Sequence, residues 1–227
     1  MSTGGHYESN AERWAAWVRA PGHDAYWTES GPALFELLPP PGRRTLDLGC
    51  GEGRVARDLT AKHHRVVGID VAPTLVRLAQ EADPTGTYLV ADAAALPFQD
   101  EEFDVVVAFN SLMDVDDLPA AVHESARVLE PGGKLCLCIT HPLRDAGSFA
   151  GEGSDDPLVV SRSYFAQRRL ELTIARGGFE LDFQYWARPL EAYTTALTNA
   201  GFALEALREP PDPHRSFPNF LLIRAVK

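Results

Sequence analysis

Asp47-Leu48-Gly49-Cys50-Gly51-Glu52-Gly53 decides the reading of this chain. A short apolar run, residues 44–48, leads into it, and a helical run, residues 54–61, leaves it. Its glycines let the backbone turn sharply and approach a ligand closely. The following helix offers unpaired N–H groups at its start. Two phosphate-binding patterns come near but do not fit. In G-x-G-x-x-G the third glycine permits close helix–strand packing, and here that position is Arg54. The pattern G-x-x-x-x-G-K-[ST] does not occur. A carboxylate at Asp47, just before the glycines, would repel a pyrophosphate. It suits instead a ligand carrying a positive charge and ammonium or hydroxyl donors.

Working outward, strand and helix patterns alternate. Residues 65–69 read as a strand ending at Asp70, and Pro73 sits where a first helical turn tolerates it, with the helix continuing over 74–82. Residues 87–90 form a strand ending near Asp92, and 103–109 a buried strand. The spacing of Leu118, Ala121, Val122, Ser125, Val128 and Leu129 predicts a helix over 118–129. A turn at 131–133 leads to a further buried strand, 134–140. Near-continuous apolar strands alternating with helices predict a parallel sheet covered on both faces. Ligands of such sheets sit beyond the carboxyl ends of the strands. Residues 49–53, Asp70, Asp92, Asn110-Ser111 and His141 all fall at such ends.

The flanks differ. Residues 11–20 predict a helix with Trp14, Trp17 and Val18 on one face, and a second helix covers 32–38, broken by prolines at 39–41. Residues 142–160 are rich in Gly, Asp and Ser, which reads as a lid or a partly disordered stretch. Residues 171–175 and 179–186 predict a hairpin turning at Gly177-Gly178. A helix over 189–200 stops at Gly201, and strands at 202–207 and 219–226 close the sheet with an antiparallel edge. The expected organisation is a helical cap (1–41), a ligand-binding core (42–141), a lid and hairpin insertion (142–188), and a C-terminal helix with the last two strands (189–227).

With 227 residues, the chain can bury a core without staples. Lys and Arg number 21 against 32 Asp and Glu, a net charge of -11, which argues against a nucleic-acid partner. No apolar run has the length of a membrane span, and the first residues lack the features of a signal peptide, so a cytoplasmic protein is expected. Cys50, Cys136 and Cys138 read as structural thiols. The histidines show no metal-ligand spacing, and no metal is expected. A monomer or homodimer is expected.

The glycine stretch resembles motif I of the class I S-adenosylmethionine-dependent methyltransferases. Later segments match in order: Val66-Val67-Gly68-Ile69-Asp70, Ala91-Asp92-Ala93 with Leu96-Pro97-Phe98, Phe103-Asp104-Val105-Val106, and residues 127–135. The resemblance covers about residues 43–140, with a looser fit of the tail. It implies an α/β Rossmann-like, doubly wound, seven-stranded, mostly parallel sheet with an antiparallel last strand. It also implies S-adenosyl-L-methionine as cofactor and S-adenosyl-L-homocysteine as product. By the same resemblance Asp47 lies near the methionine moiety, directly or through water, and Gly49, Cys50 and Gly51 line it with backbone. Asp70 accepts both ribose hydroxyls, Val71 packs on adenine, Asp92 accepts from the adenine amine with the Ala93 N–H near the ring, and Asn110 faces the methionine tail or the methyl. The other reading of Asp47, Asp70 and Asp92 is a helix or turn cap.

On the acceptor side His141, directly after a strand, is the first candidate base, and Asp114 the second. The other readings are a loop histidine bonded to backbone and a capping aspartate; His123 reads as structural. Tyr7, Trp14, Trp17, Tyr26 and Trp27 concentrate ahead of the core, and Tyr26 and Trp27 are expected to wall a flat or cationic substrate with Tyr164 and Tyr185 opposite. Phe165 is a further wall candidate, and Arg162 and Arg188 are either anchors for an acidic group or surface charges. The expected activity is methyl transfer to O, N or C of a small, ring-bearing metabolite. The alternatives are another group transfer with the same cofactor, a non-catalytic cofactor-binding scaffold or activator, and a nicotinamide oxidoreductase, which Arg54 disfavours.

Overall fold

The central strands of the main sheet alternate their side chains between two helix-covered faces, and that alternation sets the architecture. The structure is a computed structural model describing residues 2–20, 22–151, 153–176, 178–212 and 214–227. In chain order it forms α1 (Thr3–Arg19), a π-helical turn (Tyr26–Ser30), α2 (Gly31–Leu37), β1 (Thr45–Leu48), α3 (Arg54–Ala61), β2 (Val66–Asp70), α4 (Pro73–Ala82), β3 (Thr87–Val90) and β4 (Phe103–Phe109). There follow α5 (Leu118–Val128), β5 (Leu129–Thr140), a 3-10 turn (Arg144–Ala146), β6 (Gly147–Phe149), β7 (Leu158–Val160), β8 (Arg168–Arg176), β9 (Phe179–Ala187), α6 (Leu190–Asn199), β10 (Ala203–Arg208) and β11 (Phe220–Val226).

The main sheet has seven strands in the order β10-β11-β5-β4-β1-β2-β3. The pairs among β1 to β5 are parallel, while β11 runs antiparallel to both β5 and β10. This is the expected seven-stranded, doubly wound sheet. Along β4 and β5, Val106, Ala108, Leu135, Leu137 and Ile139 pack with α5 and α6 residues such as Leu118, Val122 and Leu197. Their neighbours Val105, Val107, Cys136 and Cys138 face α2 and α3 through Leu34, Leu37, Val55 and Leu59. Period two thus builds both cores from the same two strands. All three cysteines are free and buried, and burial alone pushes the Cys138 thiol up.

Several boundaries differ from expectation. α1 begins at Thr3 rather than residue 11, with the Ser2 hydroxyl capping Gly5 N–H at 3.2 Å. A side chain at Gly4 would stand 2.8 Å from Val71 Cγ1, so this glycine lets α1 lie directly on the end of β2. The turn at 131–133 lies inside β5 as an irregularity, where pairing with β4 shifts from Phe103↔Leu129 to Val105↔Lys134. Residues 142–160 contain the 3-10 turn and the antiparallel β6–β7 pair. β8 and β9 form the expected hairpin, longer than expected by three residues at the start of β8; Gly177 of its turn lies outside the described residues.

Candidate functional site

The carboxyl ends of β1 to β5 open onto a cavity of about 560 Å³, roofed by α1 and the β8–β9 hairpin. Its floor is the glycine loop. Gly49 has φ +75°, and the Gly49 and Cys50 N–H groups both donate to Ile69 O, at 2.9 and 2.8 Å. A Cβ at Gly49 would lie 2.4 Å from that of Ser111, whose hydroxyl bonds Leu48 O. Only glycine meets both demands, since a left-handed φ and that clash each disfavour a side chain.

Asp70, ending β2, holds the loop in place. Its Oδ2 accepts the Gly51 N–H and its Oδ1 the Ala72 N–H, both at 2.9 Å. Burial raises its pKa, and these N–H groups oppose the rise. Each carboxylate oxygen keeps lone pairs for further donors. Asp92, after β3, accepts the Ala94 N–H at 2.9 Å, the capping geometry of a tight turn. Asn110 follows β4 with φ +50°, and its buried Oδ1 has no partner among the described residues. Asp114 borders the cavity four residues on; the Tyr7 hydroxyl donates to its carboxylate, while its Oδ1 has no partner.

The roof is aromatic. Tyr7 and Trp14 of α1 meet edge to face at 5.5 Å, Trp14 meets Phe183 of β9 at 5.4 Å, and Trp17 meets Phe183 at 5.9 Å. Leu172 and Ile174 of β8 and Phe183 and Tyr185 of β9 border the cavity together. The Tyr185 hydroxyl is committed to Asp145 Oδ1 at 2.9 Å, so this residue offers the cavity mainly its ring. α1 is tied down at both sides: Glu8 accepts the Thr74 N–H and hydroxyl at the start of α4, and His6 Nε2 donates to Asp182 O of the hairpin at 2.9 Å.

The cavity thus brings together Gly49, Cys50, Gly51, Asp70, Val71, Asp92, Ala93, Asn110, Asp114 and Tyr185. Asp47 is fully buried behind the loop, outside the lining; its Oδ2 has no partner, and burial and then the charge of Asp70 push its pKa up to about 7. Four expected residues lie elsewhere, and their neighbours explain why. The Tyr26 ring is sealed under Arg54, whose guanidinium lies 4.0 Å from the ring centroid, and its hydroxyl donates to Asp58. Trp27 packs edgewise on Tyr26 and is 60% exposed. The Tyr164 hydroxyl accepts the Leu190 N–H at the start of α6, at 2.9 Å.

His141 is buried away from the cavity lining. Its Nδ1 accepts the Leu143 N–H at 3.3 Å, and its Nε2 lies 2.9 Å from Glu209 Oε1. An accepting Nδ1 places the proton of the neutral ring on Nε2, which donates to the glutamate. Both nitrogens are occupied, so the ring is not placed to take a substrate proton. Arg188 is neither an anchor for an acid nor a surface charge. It is buried, and its guanidinium donates to the carbonyl oxygens of Leu112, Met113, Val115 and Asp116. Sequence reasoning missed Leu172, Ile174 and Phe183. The alternation of β8 and β9 was the available signal, since Leu172 pairs with Phe183 and every second residue shares a face.

The residues present fit the cofactor that the sequence resemblance implies. A donorless Asn110 oxygen and the remaining lone pairs of Asp70 match a ligand rich in ammonium and hydroxyl donors. A family model described as a methyltransferase domain matches residues 46–137. Over 222 residues the chain is 31% identical to N-demethylindolmycin N-methyltransferase of Streptomyces griseus, covering 89% of this chain and 91% of that one. It is 36% identical over 134 residues to 27-O-demethylrifamycin SV methyltransferase of Amycolatopsis mediterranei, 51% of this chain and 49% of the other. The chain spans about half the length of that relative and of other curated relatives it matches. A crystal structure of an S-adenosylmethionine-dependent methyltransferase from Mesorhizobium loti superposes with a TM-score of 0.72 at 26% identity, covering 90% of this chain and 98% of that one.

Proposed function

The chain belongs to the class I S-adenosylmethionine-dependent methyltransferases, and from that premise we propose that it transfers the cofactor's methyl group to O, N or C of a small, ring-bearing molecule. The observation that carries this reading is the joining of two surfaces in one cavity: the Gly49–Gly51 loop with Asp70 below, and the Trp14, Trp17 and Phe183 wall above. The two named relatives, which methylate small molecules by their names, support it.

In this reading Asp70 takes the ribose hydroxyls, the bidentate task that suits a carboxylate. Val71, Asp92 and Ala93 hold the adenine, and Gly49, Cys50, Gly51 and Asn110 hold the amino-acid part. Asp47, behind the loop, adds negative charge only where it is ionised, since burial pushes its pKa up to about 7. When bound, the cofactor supplies a methyl carbon already activated by a sulfonium centre. What remains for the chain is to orient the acceptor and to exclude water. The aromatic roof, with Tyr185, does both, because it closes the cavity with flat apolar surface.

The net charge of -11 favours a small molecule over nucleic acid as partner. Among the described residues no helix is long and apolar enough to cross a membrane. A cytoplasmic monomer or homodimer accords with this reading. Calorimetric titration with S-adenosyl-L-homocysteine tests it: binding in the micromolar range is expected, and absence of binding overturns it.

A further inference from the structure

Among the described residues seven carboxyl groups border the cavity, and six of them are engaged with arginines or backbone N–H groups. Asp24, Glu52 and Asp116 pair with Arg54, Arg19 and Arg169 respectively. Asp70, Asp92 and Asp117 accept backbone N–H groups. Asp114 differs. It accepts only the Tyr7 hydroxyl, and its Oδ1 is shut off from water with no donor. Such an oxygen is costly unless a ligand completes it. Among the described residues the lining holds more carboxyl groups than arginines, the latter being Arg54, already paired with Asp24, and Arg144. The rings of Tyr7, Trp14 and Trp17 border the same space, and aromatic rings attract cations.

The loop bearing Asp114 is also fixed. Arg188 donates to four of its carbonyl oxygens, so the carboxylate is positioned before any ligand arrives. Asn110, the other donorless oxygen of this loop, stands next to the glycine floor and is assigned above to the cofactor. Asp114 is left for the second molecule.

We propose that Asp114 is the recognition group for the methyl acceptor, and that the acceptor is a ring-bearing amine whose nitrogen donates to this carboxylate while its ring lies against the aromatic roof. The inference rests on the methyltransferase reading. An anionic acceptor is disfavoured by the same charges that favour the amine. Burial, foremost, holds the Asp114 carboxyl well above the usual carboxylate range. The groups facing it are Tyr7 of α1, Asp70 of β2, Tyr185 of β9, Arg188 between β9 and α6, and Tyr193 of α6. The carboxylate form binds an ammonium, so uptake of the amine expels a proton and its affinity weakens as pH falls.

The test compares 2-(1-naphthyl)ethylamine, 2-(1-naphthyl)ethanol and 1-naphthaleneacetate, one ring with three charges, by calorimetry on the full chain saturated with S-adenosyl-L-homocysteine. The amine is expected to bind about ten-fold or more tighter than the acetate. Repeating the amine titration in buffers of different ionisation enthalpy is expected to show proton release. Asp114→Asn is expected to erase the preference and the proton release while S-adenosyl-L-homocysteine still binds. Equal or tighter binding of the acetate, binding of none of the three, or a preference that survives Asp114→Asn overturns the inference. The wild-type ranking stands as a test even where the variant does not fold. Failure of S-adenosyl-L-homocysteine to bind the wild type would instead strike the methyltransferase reading itself.

Discussion

Asp70 and Asp47 lie on neighbouring strands, yet their surroundings give them different work. Asp70 meets two backbone N–H groups and borders the cavity. Its removal takes away the strut beneath Gly51 together with the acceptor proposed for the ribose hydroxyls. Asp70→Ala is expected to weaken S-adenosyl-L-homocysteine binding by about 1.5–3 kcal/mol, roughly 10- to 150-fold. Calorimetry checks it, and an unchanged affinity removes the ribose role. Asp47 has no such access; burial sets its behaviour. Its folded pKa of about 7 stands above the ordinary 3.8, so the folded state holds a proton that the unfolded chain has released. The associated stability is complete below pH 4 and is lost as pH rises toward and through 7. The slope for one proton is at most about 1.4 kcal/mol per pH unit. Asp47→Asn is expected to remove this slope, gaining on wild type between pH 4 and 8. Denaturant melts of both proteins across that range decide it, and parallel pH profiles would refute the assignment.

At the scale of elements, the clamp of Arg188 on residues 112–116 couples the hairpin to the loop after β4. A lysine keeps the charge but loses the fork that serves several carbonyls at once. Arg188→Lys is expected to cost about 2–3 kcal/mol, the scale of hydrogen bonds from a charged donor. Urea melts measure it, and a cost near zero would show that the loop holds its shape unaided. This residue also shows where sequence reading stops. The bounds of α3, β3 and β4 were legible because apolar period and glycine punctuation are local signals. The inward face of Arg188 was not, because its acceptors lie 72 to 76 positions away. The same holds for His141, whose partner Glu209 is 68 positions distant, and for Tyr26, which Arg54 covers. In α1 local evidence pointed the wrong way, since Gly4-Gly5 speaks against helix and distant contacts, with Val71, Thr74 and Asp182, hold it.

For the whole molecule, the cavity floor was legible and the roof only in part. Every strand end carrying a polar residue was visible in order, whereas the roof depends on how α1 and the hairpin fold over. Because floor and roof come from distant parts of the chain, a ligand held between them should stabilise the fold as a unit. S-adenosyl-L-homocysteine at about 100 times its Kd adds about 2.7 kcal/mol. At roughly 2–4 °C per kcal/mol for a chain of this size, Tm is expected to rise by roughly 5–11 °C. Thermal melts with and without ligand check this, and a stationary Tm would contradict a preformed site.

The reversed strand β11 carries one more consequence, for how the molecule is made. It comes last among the strands in sequence yet lies inside the sheet, between β5 and β10. Phe220 pairs with Thr140 and Val226 with Lys134, so these contacts close long stretches of chain. Until β11 docks, β10 has no neighbour and β5 is a bare edge whose N–H and C=O groups can recruit another chain. Such distant pairings form slowly, because chain entropy is lost before the contacts repay it. A chain in which β11 fails to dock would therefore leave five parallel strands with an open, apolar flank, the kind of edge through which chains aggregate.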